Sequence, residues 1–183
     1  IIMASSSGKC IRFNEKFVRV LGRETVGVKS IRLEGDEHIV DMAVVNPDLK
    51  MLTISEFGFG KRSNPDDYRV QGRNGKGIKA GIFDEVTGGL VNLKQVGDND
   101  DIMIICDDGQ IIRINASEIN VIGRNTKGVR IMKMRKNGKI IAVAITPSEE
   151  EEQNIAENME ENIENEPNDA VETEIEAPAP NLA

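Results

Sequence analysis

Gly22-Arg23-Glu24-Thr25-Val26-Gly27-Val28-Lys29 returns 50 residues on as Gly72-Arg73-Asn74-Gly75-Lys76-Gly77-Ile78-Lys79. It returns again 51 residues later as Gly123-Arg124-Asn125-Thr126-Lys127-Gly128-Val129-Arg130. In each copy a glycine and an arginine lead, a second glycine follows five residues after the first, and a β-branched residue and a base close the motif. Gly8, Gly58 and Gly109 keep the same offsets upstream, as do Arg12, Arg62 and Arg113. Several features sharing one period define an internal repeat, which decides the architecture before any single element is placed.

Each copy reads as four short strands. In the third, Asp101 to Cys106 is an apolar run rich in β-branched residues, as strands favour. Asp107-Asp108-Gly109 predicts a tight turn, because Asp-Gly readily takes positive φ. Gln110 to Asn115 predicts the return strand and Ala116 to Asn120 a short turn. After the glycine motif, Val129 to Met134 predicts a third strand and Lys139 to Thr146 a fourth. Four-stranded units with exposed edges pack side by side, as propeller blades do. The expected class is therefore all-β, with repeats at about 1–46, 50–97 and 101–147. Closed propellers typically have about four to eight blades. Three copies, with no initial Met, predict a piece of a larger module.

The net charge of −8 conceals an asymmetry. Of the 31 acids, 13 lie in residues 148–183, which hold no base, leaving 18 acids against 23 bases in residues 1–147. The repeat region is basic and the tail acidic. The tail carries Pro167, Pro178 and Pro180 and no aromatic residue, so it is expected to be disordered. Ile155, Met159 and Ile163 recur in it at helical spacing. The tail serves either as a solubilising segment or as a competitor for the basic surface.

Candidate chemistry is sparse. Cys10 and Cys106 have no partner at redox or metal spacing, and read as small buried hydrophobes. His38 is the only histidine. Ser5-Ser6-Ser7 has no histidine partner, and Asp66-Asp67 and Asp107-Asp108 fall in predicted turns. The glycine motif lacks the Gly-Lys-Ser/Thr ending of a phosphate loop, and a strand rather than a helix follows it. No catalytic, cofactor or metal constellation emerges, and no apolar run approaches the roughly 18 residues that cross a membrane. Asn115-Ala116-Ser117 matches a glycosylation sequon without other signs of secretion.

The motif instead suits an anionic partner. A row of like charges along a rim repels itself unless a polyanion neutralises it. Aromatic residues are only 3% and Trp is absent. Stacking platforms for single strands are therefore scarce, and contacts to the backbone of duplex DNA fit better. A curved rim would bend that duplex, at about 1–6 kcal/mol for 40–90° over 20–30 base pairs.

Gly123 to Val129 with Ser117-Glu118-Ile119, Gly58-Phe59-Gly60-Lys61-Arg62 and Gly22 to Arg32 resemble the last repeats of the C-terminal domain of the bacterial DNA gyrase A family. The likeness spans about residues 1–146. It implies a β-pinwheel of four-stranded blades, usually six, whose basic perimeter wraps double-stranded DNA with a positive hand. Carried onto this sequence, the perimeter bases are Arg23 and Lys29, then Arg73, Lys76 and Lys79, then Arg124, Lys127 and Arg130. Lys61, Arg62 and Arg113 follow on the preceding strands. The resemblance further implies a cytoplasmic heterotetramer of two gyrase A and two gyrase B chains, a type II topoisomerase whose ATP and Mg sites lie in other domains. The arginine- and glycine-rich heptapeptide of the family is not in this sequence. Tyr68, the only tyrosine, sits in a loop-like stretch with no cleavage role. The related domain of topoisomerase IV, and a propeller scaffold for an acidic protein, stand as alternatives.

Overall fold

The computed structural model describes residues 1–135 and 138–148. The acidic segment expected to be disordered lies outside the described residues beyond Ser148. Eleven strands form, and no α-helix does among the described residues: β1 Ile2–Ser5, β2 Lys9–Arg12, β3 Ile39–Ala43, β4 Lys50–Ser55, β5 Phe59–Ser63, β6 Ile78–Lys79, β7 Leu90–Val96, β8 Asp101–Cys106, β9 Ile111–Asn115, β10 Val129–Arg130 and β11 Ile140–Thr146. Every ladder between them is antiparallel.

The predicted hairpins are present. In each copy a tight turn joins two strands, and its glycine holds φ near +80° (Gly8 +78°, Gly58 +81°, Gly109 +80°). A single 3-10 turn follows each hairpin, at Glu15–Phe17, Pro65–Asp67 and Ala116–Glu118. An asparagine stands before each: Asn14 and Asn115 accept the backbone N–H groups of Lys16 and Ser117. Asn64 instead accepts from Lys50 Nζ at 3.0 Å.

The motif strand does not join its own copy, which corrects the expected assembly of four strands per repeat. The sheets run β3-β1-β2-β6, β10-β5-β4-β7 and β11-β8-β9. β6 belongs to the second copy in sequence but pairs with β2 of the first, Lys9 opposite Lys79 and Cys10 opposite Ile78. β10 of the third copy likewise pairs with β5 of the second. The expected third strand through Met134 therefore shrinks to Val129–Arg130. Each complete blade is a hairpin, a return strand and a strand lent by the next copy. Residues 26–30 form no strand, and among the described residues nothing pairs with the outer side of β9.

Burial follows this exchange. Ile2, Ala4, Cys10, Met51, Tyr68, Ala80, Leu90 and Leu93 fill the space between the first two sheets. Leu52, Ile54, Val96, Ile102, Ile104, Ile119 and Ile140 fill the space between the second and third. Apolar residues alternating along each hairpin thus meet across sheets, where burial stabilises by about 25 cal/mol per Å². Asp41 on β3 ties neighbouring return strands together, accepting from the Asn92 side chain at 2.9 Å and Leu93 N at 3.3 Å on β7. Tyr68, expected in a loop, is fully buried at the first joint with its hydroxyl 3.5 Å from Ser63 Oγ. Burial pushes its phenol up. Both cysteines are free thiols and buried. Burial raises the Cys10 thiol to about 12, so it is an unreactive packing group.

Candidate nucleic-acid interface

The second motif glycine needs its conformation. Gly27, Gly77 and Gly128 hold φ of +84°, +72° and +84°, where a side chain is strained. At Gly77 an added Cβ would lie 2.5 Å from the Cys10 carbonyl, and at Gly128 2.6 Å from the Gly60 carbonyl. The glycine therefore also lets the lent strand lie against the preceding blade. Thr25 and Thr126 close the turn by donating to the Gly22 and Gly123 carbonyls at 2.8 and 2.9 Å. The second copy has Gly75 instead. There Asn74 takes the positive φ of 60°, its N–H donating to the Ser30 carbonyl at 2.7 Å, and the Gly75 carbonyl accepts from Arg32 N at 2.8 Å.

The motif arginines face the neighbouring copy. Arg73 donates from Nε to the Phe17 carbonyl at 2.8 Å and from Nη1 to the Lys29 carbonyl at 3.0 Å. Arg124 donates from Nε to the Asp67 carbonyl at 3.0 Å and from Nη1 to the Lys79 carbonyl. The accepting residues are themselves 50 apart, so the two joints are built alike. Arg23 is exposed, with no partner among the described residues.

Two of the expected contacts are corrected by burial. Lys61 is 2% exposed and Arg62 5%. Lys61 Nζ donates to the carbonyls of Arg124 and, at 2.9 Å, Thr126. Arg62 donates from Nε to the Ile119 carbonyl at 2.8 Å and pairs through Nη1 with Asp98. Its counterpart Arg12 donates to the carbonyls of Pro65 at 2.7 Å and Tyr68 at 3.2 Å. This repeated arginine pins the next copy's 3-10 turn. Arg113 is turned onto Asp101 Oδ2 at 2.8 Å and the Pro147 carbonyl at 3.1 Å. The Lys61 amine and the Arg62 guanidinium, so enclosed, have no face for a phosphate, whereas Arg113 stays exposed beside its protein partners.

Burial, and then the nearby Arg124 charge, pull the Lys61 amine from an ordinary 10.5 down to about 8. Between those values the unfolded chain binds a proton that the native chain does not, so stability rises with pH. Lys61 is expected to add on the order of 3 kcal/mol to native stability between about pH 8 and 10.5. The raised Cys10 thiol takes stability away above about pH 9, so thermal unfolding should show the Lys61 rise most plainly between about pH 8 and 9. Lys61→Met should flatten this rise. An unchanged slope in the variant would refute the assignment to Lys61.

The remaining bases of the motifs face solvent. Lys29, Lys76 and Lys79 are exposed, and their amines have no partner among the described residues. Lys127 is exposed but pairs with Asp84 at 2.5 Å, which holds that carboxyl below its usual range. Arg130 is exposed, with its guanidinium 4.8 Å from the Phe59 ring centre. The arginine bonds bring bases of successive motifs side by side, since Lys29 is one hydrogen bond from Arg73 and Lys79 one from Arg124. A groove of about 420 Å³ lined by Lys29, Ile31, Arg32, Leu33 and Asn74 lies between the first two motifs.

Sequence reasoning missed Arg19 and Arg69. They are exposed, 50 residues apart, just past the 3-10 turns, and without partners among the described residues. The period alone could have found them. Asn120 at the third position broke the pattern that the motif search required.

A family model described as "DNA gyrase C-terminal domain, beta-propeller" matches residues 1–46, 50–88 and 100–147. The chain is 35% identical over 143 residues to the DNA gyrase A protein of Salmonella typhimurium, covering 78% of this chain and 16% of that protein. It is 33% identical over 182 residues to its Pseudomonas aeruginosa counterpart, covering 95% and 20%. The chain thus spans at most about a fifth of these relatives' length. Among solved structures, a DNA gyrase A C-terminal domain matches with TM-score 0.72 at 25% identity, over 79% of this chain and 49% of that one. A topoisomerase IV C-terminal domain matches with TM-score 0.79 at 19% identity, over 88% and 50%, a likeness of fold.

Proposed function

This chain belongs to the DNA gyrase C-terminal domain family, and from that membership we propose that its rim binds double-stranded DNA and carries it along a curved path. The observation that supports the reading is the row of exposed, unpartnered lysines at Lys29, Lys76 and Lys79 among the described residues, with Arg23, Lys127 and Arg130 continuing it. Lysine amines on an open surface meet phosphate oxygens as point charges. Such contacts position a duplex without reading its sequence. Arg19 and Arg69 extend the same surface. The fragment supplies no chemistry of its own in this reading.

The larger protein is then the gyrase A chain of a cytoplasmic type II topoisomerase. Paired with two gyrase B chains and a second copy of itself, it uses ATP to add negative supercoils. The wrapped duplex is presented as the segment to be passed. The test is topological. The full-length protein is incubated with relaxed circular DNA and a relaxing topoisomerase, then removed. Trapped positive writhe is expected, and binding should weaken steeply with salt, because phosphate contacts release counterions. Binding without writhe would favour a protein like that of topoisomerase IV. Affinity insensitive to salt would overturn the DNA reading in favour of an acidic protein partner.

A further inference from the structure

We infer that Arg73 and Arg124 are positioning residues that set the angle between successive blades, and so the path of the duplex, without contacting phosphate themselves. The inference rests on the wrapping function proposed above. The ladder that crosses each joint is only two residues long, β6 or β10, beside the buried core and the Arg12 or Arg62 bonds. So short a ladder has few bonds with which to resist a hinge motion. One guanidinium at each joint spans two carbonyls of the preceding copy, Phe17 and Lys29 at the first, Asp67 and Lys79 at the second. One carbonyl lies in the 3-10 turn and the other beyond the second motif glycine. The planar fork donates in fixed directions, so bonding both carbonyls fixes the rotation of one copy against the next.

The second carbonyl belongs in each case to a residue whose amine is an unpartnered base of the rim among the described residues. Arg73 thereby holds the backbone under Lys29, and Arg124 holds the backbone under Lys79. The Nε proton and one Nη1 proton of each are turned to protein, and the lysines are the bases left to meet the phosphates. The Lys61 amine bonds the Arg124 and Thr126 carbonyls and adds a brace at the second joint. The first joint cannot have the same brace, because Ile11 stands where the second copy has Lys61.

Charge and geometry can be separated by substitution in the full-length protein. Arg73→Lys with Arg124→Lys keeps both charges but cannot bridge two carbonyls with one planar group. The double variant is expected to bind a short linear duplex within about twofold of the wild type, with an unchanged salt slope, yet to lose most of the positive writhe trapped on circular DNA. Lys79→Gln should do the reverse, lowering the salt slope by about 0.9 while writhe per bound protein persists. Writhe retained in the double lysine variant overturns the inference. So does a loss of its short-duplex affinity. A fall in salt slope with Arg73→Gln and Arg124→Gln that the lysine variants restore, writhe included, would make the arginines phosphate contacts. A wild-type protein that leaves no writhe would sink the wrapping function and this inference together, whereas failure in the variants alone sinks only the inference.

Discussion

Gly128→Val is expected to destabilise the 183-residue chain far more than Gly27→Val, although both glycines hold φ of +84°. The backbone strain is shared, at roughly 1–2 kcal/mol for a side chain forced into the left-handed region. The surroundings differ. A Cβ at Gly128 would lie 2.6 Å from the Gly60 carbonyl oxygen and 2.9 Å from its carbon, whereas at Gly27 nothing stands within 4 Å. A peptide carbonyl inside a sheet cannot rotate away as a flexible side chain can, so the clash adds about 1–3 kcal/mol of overpacking. It would relax only by lifting β10 off β5. That would draw Met132 from the Gly58 turn and loosen the core between the second and third sheets. Urea unfolding of the two variants measures the difference directly. Equal losses would show that the close approach at Gly128 does not hold the joint.

Replacing Lys29, Lys76 and Lys79 together by Gln is expected to have the largest effect on DNA. Each phosphate contact contributes about 0.9 to the slope of log affinity against log salt, so the slope should fall by nearly 3. At about 0.1 M salt the same three contacts account for on the order of a few hundredfold in affinity. Stability should hardly change, because exposed lysines without partners contribute little to the fold. Lys61→Met is the matched comparison, since its amine is turned onto carbonyls of the third motif. It should leave the salt slope where it was. A slope that falls with Lys61→Met and holds with the triple variant would reverse the division between inward and outward bases.

That division marks the line between what the amino-acid order carries and what it does not. The 50-residue period, the hairpins with their turn glycines, the all-β class and the basic character of the repeats were legible in the amino-acid order. Each is local or repeats locally: Asp-Gly sets a turn, alternation sets a face, and three recurring motifs set an array. The gyrase family likeness was carried by those same motifs. The fate of individual charges was not legible. Lys61 and Arg62 sit beside Gly60 in a strand that looks half-exposed by pattern, yet the third copy covers them and uses both. Arg73 and Arg124 read as rim charges, yet the Lys29 and Lys79 carbonyls come within their reach.

Sequence alone determined that this protein is a repeated basic β array whose motif carries a second glycine in every copy. Only the tertiary structure decided that the strand after that glycine crosses to the preceding blade. A two-residue strand carries too little pattern to name its partner. The partner is chosen by a ladder and a packed joint some 70 residues away in sequence, Cys10 opposite Ile78 and Gly60 opposite Val129. Once that crossing is made, the bases nearest the joint are spent on carbonyls, and the lysines beyond it are left facing solvent.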